Sequence, residues 1–190
     1  MPTESPDLSN VPSSVETPAL ASVWARLLSL ILDGLLWSPV AVAVAYAASR
    51  SPAWGVILFP AALVSFVVYQ VALHATFGAT VGKLILRIRV VNTDYTPIDL
   101  YAALKRSFVD AVFRLGLATI SVQVIQALGP VPINSMMEFV KALQVNKSYA
   151  TLSNMESLWT LSEIATCLFH PQRRALHDLI AGTLVVKQPK

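Results

Sequence analysis

The chain has 190 residues, 55% of them hydrophobic and only 13% charged, with a formal net charge of +3. An ordinary soluble domain carries about 25% charged residues, so this balance, with a mean hydropathy of +0.60, excludes a typical soluble domain and describes a membrane protein of one domain. The basic residues fall between apolar blocks and form no aromatic-studded patch, which argues against nucleic acid as a partner; Cys167 is the only cysteine, so no disulfide can form within the chain.

Residues 1–20 contain four prolines, three acids and no base. They are expected to form a disordered tail ahead of a transmembrane domain over residues 21–190. The tail lacks the positive n-region of a secretory signal, so the first apolar block is expected to remain as an anchor. Spanning the hydrocarbon core takes about 20 helical residues. Leu27 to Ala48 meets this with one charge, Asp33, and Ala53 to Thr76 meets it with none; Ser49 to Pro52 joins them tightly. Pro39 and Pro60 lie inside these blocks, as membrane helices tolerate.

The stretch "GATVGK", Gly78 to Lys83, resembles a phosphate loop but has one residue too few between its glycines and no Ser or Thr after Lys83. Its glycines are read as turn formers, and Lys83 as a partner for anionic headgroups. "LILRIRVV", 84–91, alternates an apolar side with one that carries Arg87 and Arg89, the period of a strand. A third apolar block runs from Ser107 to Leu128, with Asp110 and Arg114 near its start, and "GPVP" at 129–132 ends it. Between Asn134 and Gln144 the apolar residues recur at helical spacing, predicting an amphipathic helix at the outer interface.

A fourth block is less clear. Ser157 to Phe169 is 13 residues with Glu163 inside, roughly 20 Å of helix against a core of ~30 Å. Started at Ser148 it reaches full length; the other reading is an interfacial or re-entrant helix. "GTLVV", 182–186, is β-prone and pairs with the earlier strand in a short ribbon. Basic residues favour the cytoplasmic side. Lys83, Arg87, Arg89, Lys105 and Arg106 lie in one loop, and Arg173, Arg174, Lys187 and Lys190 follow the last block. Four spans put both groups and both termini in the cytoplasm, whereas three would strand the second group outside.

Asp33 lies ~16 Å into the first helix, where an ionisable group is costly without a partner. Arg26 is seven residues earlier, on the same face but about 10 Å away, too far for a direct bridge. Arg114 and Glu163 each come to about 10 Å depth, so Asp33, Arg114 and Glu163 are expected to share a buried cluster in the cytoplasmic half. Two readings are open: polar glue between helices, or a proton or cation pathway. Arg106, Asp110 and Arg114, four residues apart, share one helix face. His74, His170 and His177 with Cys167 match no standard zinc spacing, although His74 and His170 both fall near the cytoplasmic ends of their helices. No nucleophile elbow, zinc-protease helix or paired-carboxylate spacing occurs, and the sequence supplies no catalytic residue, cofactor site or metal site.

Three motifs, "ARLLSLILDGLL", "FGATVGKLILRIRVVN" and "RRALHDLIAGTLVV", resemble in order those of the RDD family of integral membrane proteins, named for one arginine and two aspartates. The resemblance covers about residues 21–187. It implies that Arg26, Asp33 and Asp178 act together, that Gly78, Thr80, Gly82 and Lys83 form a family turn, and that Arg106 is a further motif position. It also implies a thin functional record: cation/proton exchange for some members, assembly of membrane complexes for others.

The expected architecture is therefore an all-α membrane protein, a small bundle of about four transmembrane helices with a short cytoplasmic β-ribbon. Its setting is a bacterial cytoplasmic (inner) membrane. The leading function is transport of protons or small monovalent cations, with the lipid bilayer as partner and a homo-oligomer to enlarge so small a bundle. The alternative is a non-catalytic scaffold or assembly factor bound to a membrane protein partner.

Overall fold

The computed structural model describes residues 18–128 and 136–188, and the expected tail and the "GPVP" break fall largely or wholly outside them. The described chain is mostly helical, with one two-stranded sheet. Helix α1 (Val23–Arg50) and helix α2 (Pro52–Phe77) form an antiparallel hairpin around Ser51. The Ser22 hydroxyl caps α1 by accepting from the Ala25 N–H at 3.1 Å. Pro39 removes the N–H that would have reached the Leu35 carbonyl, and the Ser38 hydroxyl donates to that carbonyl at 2.9 Å instead. At the hairpin Gly55 lets the helices close up, since a Cβ there would stand 3.1 Å from that of Ala48. Gly78 ends α2 in the left-handed region, φ 67°, with its N–H on His74 O at 2.9 Å.

The chain then makes one helical turn, α3 (Val81–Ile85), before strand β1 (Ile88–Asn92). The strand expected from 84 thus begins four residues late. Leu84 and Ile85 are drawn into α3 because Gly82 docks its backbone on α1, and Arg87, at φ 52°, turns the chain into the strand. Helix α4 (Leu100–Leu128) begins seven residues before the apolar block that marks it. Helix α5 (Met136–Val145) is the expected amphipathic helix, α6 (Lys147–Phe169) takes the longer of the two extents read for the fourth block, and α7 (Leu176–Ala181) leads into β2 (Thr183–Lys187).

β1 and β2 pair antiparallel with Val90 opposite Val185. The N-terminal segment lies along β2, Ala21 N–H on Val185 O at 2.9 Å and Lys187 N–H on Ala19 O at 2.8 Å. A lone hairpin is marginal; this ribbon is held by Ile88, Val90 and Val185 packing on Ala21 and on Ala102 and Ala103 of α4. A second core of Ala48, Val124, Ile125, Phe139 and Leu143 joins the far ends of α1 and α4 to α5. Helix α4 therefore runs from the ribbon end to the far end, and α6 returns alongside it, with Leu152 near Gly116 and Trp159 bonded to Asp110.

Between these two cores the helices are built inside out. Buried positions are small or polar, such as Ser29, Asp33, Ala118 and Ser121, while Leu35, Leu36, Val68, Phe108 and Leu115 are exposed. In water this surface would be a large unpaired apolar patch; in lipid it is the expected pattern, because small residues let helices approach and large ones face the acyl chains. Three helices, Val23–Arg50, Ala53–Phe77 and Leu100–Leu128, are long and apolar enough to cross a membrane.

Candidate functional site: a charged clasp and a seam

Two connected groups of polar side chains occupy the ribbon end. The first centres on Asp178, which is fully buried on α7. Its Oδ2 accepts from Arg26 Nη1 at 2.5 Å and from the Ala175 N–H at 3.0 Å. Its Oδ1 accepts from Arg106 Nη1 and, at 3.3 Å, from the Thr183 hydroxyl. All four lone-pair positions of the carboxylate are thus used. Arg106 also donates to Thr183 Oγ1 at 2.9 Å, and its Nη2 meets His177 Nε2 at 2.7 Å. One aspartate near the C-terminus therefore ties α1 to α4. Burial alone would raise the Asp178 carboxyl, but Arg106, His177 and Arg26 outweigh it and hold the group well below the usual carboxylate range.

Asp33, a few turns deeper on α1, closes a separate latch. Its Oδ1 accepts from the Tyr69 hydroxyl at 2.9 Å and the Gly82 N–H at 2.8 Å, and its Oδ2 from the Thr80 hydroxyl at 2.5 Å. All three donors are neutral. Lys83 Nζ donates to Thr80 Oγ1 at 3.2 Å, so its charge sits one hydroxyl away from the aspartate. Burial and the neighbouring Arg106 pull the Lys83 amine down to about 8, against the opposing pull of Asp33 and Asp178. The family turn of Gly78, Thr80, Gly82 and Lys83 is thus a backbone-and-hydroxyl cradle for a carboxylate on α1.

From the clasp a seam of ionisable groups runs down the α4–α6 contact. Glu163 of α6 bonds to His177 Nδ1, and His177 in turn meets Arg106. Deeper, Trp159 Nε1 donates to Asp110 Oδ1 at 3.1 Å, and Arg114 stands 3.6 Å from Glu156. Arg114 also lies over the Phe66 ring, 4.4 Å from its centroid. Trp159 falls between Glu156 and Glu163 along α6, so Asp110 comes between those two carboxylates in depth. The seam covers about 12 Å of α4, from Arg106 to Arg114.

Of the residues singled out from sequence, Arg26, Asp178 and Arg106 meet directly, and Asp33 meets Thr80 and Gly82. No direct bond joins Asp33, Arg114 and Glu163 among the described residues; their partners are Tyr69 with the turn, Glu156, and His177. His170 Nδ1 accepts from the Gln172 N–H at 3.2 Å, while His74 is buried at the end of α2. Among the described residues no group of three His, Cys, Asp or Glu side chains comes together to hold a metal. Sequence reasoning missed Tyr69, Trp159, Thr183 and the Arg114–Glu156 pair. The four-residue spacing of Arg106, Asp110 and Arg114 marked the face; nothing local marked its partner.

Compared with known proteins, residues 20–182 match the model of the RDD family, most of the chain, and the chain belongs to that family. No curated protein and no solved structure matches it.

Proposed function

We propose that this RDD-family protein crosses a bacterial cytoplasmic membrane four times, with both termini inside, and exchanges protons for small monovalent cations along the α4–α6 seam. Support for the fourth crossing is that α6, with 23 residues, is about 34 Å long, enough for the ~30 Å hydrocarbon core, and returns beside α4. Support for the orientation is that Lys83, Arg87, Arg89, Arg173 and Arg174 all belong to the ribbon end.

The observation that carries the transport reading is the seam itself: the carboxylates of Glu156, Asp110 and Glu163 succeed one another in depth and end on His177 at the ribbon end. Ionisable side chains inside a membrane are expensive, and relays of Asp, Glu and His are their characteristic use. In this scheme Glu163 and Asp110 take and release the proton and His177 passes it to the cytoplasmic surface. Arg114 balances the Glu156 carboxylate at the deep end of the seam. Asp33 is a structural latch and stays outside the path. The test is purified protein in liposomes: a potassium or sodium pulse should move protons, and Glu163→Gln should abolish that response. Folded wild-type protein that gives no response to either cation would end the transport reading.

The second reading, a membrane scaffold or assembly factor, is favoured by one observation. The clasp saturates Asp178 and the latch accepts three donors at Asp33, so the motif residues hold helices together. Its sign would be a stable membrane protein partner whose recovery falls when Asp178→Asn is introduced.

A further inference from the structure

The ring of His177, on α7, is held from two sides. Its Nδ1 meets Glu163 of α6, and its Nε2 lies 2.7 Å from Arg106 Nη2 of α4. A guanidinium nitrogen can only donate, so Nε2 presents a lone pair to it and bears no proton. The proton of the neutral ring is then on Nδ1, where the Glu163 carboxylate accepts it. Asp178 Oδ1 also faces the ring, but it is 3.6 Å from Nε2, too far for a hydrogen bond, and it already accepts from Arg106 and Thr183. Arg106 is anchored, its Nη1 tied to Asp178 and Thr183. The ring is the looser partner: its side chain is 21% exposed and that of Arg106 5%. His177 and Glu163 both line a crevice of about 110 Å³ between α1 and α6.

We propose that Arg106 is a positioning residue for the seam: it fixes His177 as the Nδ1–H tautomer, aimed at Glu163, and Nε2 takes up a cytoplasmic proton only when the ring swings off Arg106 toward the crevice. With Nε2 released, a hydronium ion gives its proton to Nε2 and becomes water. The Nδ1–H bond breaks and that proton passes to the Glu163 carboxylate, leaving a neutral Nε2–H ring. The same steps in reverse release a proton to the cytoplasm. An Nε2–H ring cannot settle back on Arg106, because two N–H groups would then point at each other across 2.7 Å. Exchange with water restores the Nδ1–H form and lets the ring return. The clasp thus closes the cytoplasmic end of the seam between transfers. This inference rests on the seam as the proton path.

The test is nitrogen-15 NMR of the full-length protein labelled at histidine, in detergent at neutral pH, with the His177 signals identified by their absence from His177→Gln. Wild type should show a protonated Nδ1 and a bare Nε2, the Nδ1–H form exceeding the Nε2–H form by about tenfold or more, the scale of one hydrogen bond to a charged group. Glu163→Gln should keep that tautomer, because Arg106 still occupies Nε2. Arg106→Met should reduce the excess by about tenfold. An Nε2–H ring or a doubly protonated ring in wild type, or a switch of tautomer in Glu163→Gln, would overturn the proposal. So would an unchanged tautomer in folded Arg106→Met; should that variant fail to fold, the wild-type and Glu163→Gln spectra still decide. The spectra require no flux, so failure of this assignment and failure of the transport reading are read apart.

Discussion

Gly82 is where the turn after α2 presses hardest on α1. A Cβ at that position would lie 2.3 Å from the Ser29 carbonyl oxygen, 3.0 Å from Asp33 Cγ and 3.1 Å from Asp33 N. The closest of these is backbone, so no side-chain rotation relieves the clash. Relief requires α3 to lift from α1, which stretches the 2.8 Å bond from the Gly82 N–H to Asp33 and loosens the cradle around the carboxylate. Overpacking costs ~1–3 kcal/mol, and a buried hydrogen bond left unmade ~1–3 kcal/mol. Gly82→Ala should therefore lose about 2–6 kcal/mol, and at roughly 2–4 °C per kcal/mol for a chain of this size the midpoint falls by on the order of 10 °C. The control is Gly34→Ala on α1, where a Cβ meets nothing within 4 Å and gains ~0.5–1 kcal/mol of helix propensity. Thermal unfolding of both variants in detergent decides the matter. Equal losses from the two, or an unchanged midpoint for Gly82→Ala, would refute the reasoning that the turn is docked through its backbone.

Asp178→Asn leaves two buried arginines facing a neutral amide and should cost about 3–5 kcal/mol, read as loss of folded protein on size exclusion; Arg106→Lys should not be neutral, because a single ammonium cannot serve Asp178, Thr183 and His177 together. Since the Asp178 carboxyl is depressed in the folded state, its contribution is complete above the unfolded value of ~3.9 and is lost only as pH falls toward the folded one. Stability curves of wild type and Asp178→Asn should thus run parallel from pH 7 to 5 and converge in stronger acid. Lys83, pulled down to about 8, should react with an amine-selective reagent with a half-maximum near that pH. Asp33→Asn keeps an acceptor for Tyr69 and Gly82 and turns an N–H₂ toward Thr80, so a modest loss of about 1–2 kcal/mol is expected in the same unfolding assay.

The apolar blocks located α1, α2 and the deep part of α4 because twenty residues without charge have few other uses. Alternation located β1 but not its start. Leu84 and Ile85 fit either period, and their helical turn is decided by the contact of Gly82 with α1, forty-nine positions away in the chain. Within the clasp, spacing alone correctly denied a bridge between Arg26 and Asp33, yet it carried no hint of Asp178, which is 152 residues from Arg26; that link came from the family resemblance. Asp33 was legible as a buried acid requiring partners. That the partners would be a tyrosine hydroxyl, a threonine hydroxyl and a glycine N–H was not, since neutral donors leave no charge pattern in a sequence. The pairing of Glu156 with Arg114 was not legible, because the register of α6 against α4 is a tertiary fact, fixed by contacts such as Leu152 near Gly116.

The most direct measurement of the central claim is proton flux in proteoliposomes under an imposed pH gradient, comparing Asp110→Asn with Asp33→Asn at equal amounts of folded protein. Conduction along the seam calls for flux that vanishes with Asp110→Asn and persists with Asp33→Asn. The reverse order, or unaltered flux in both, would contradict it.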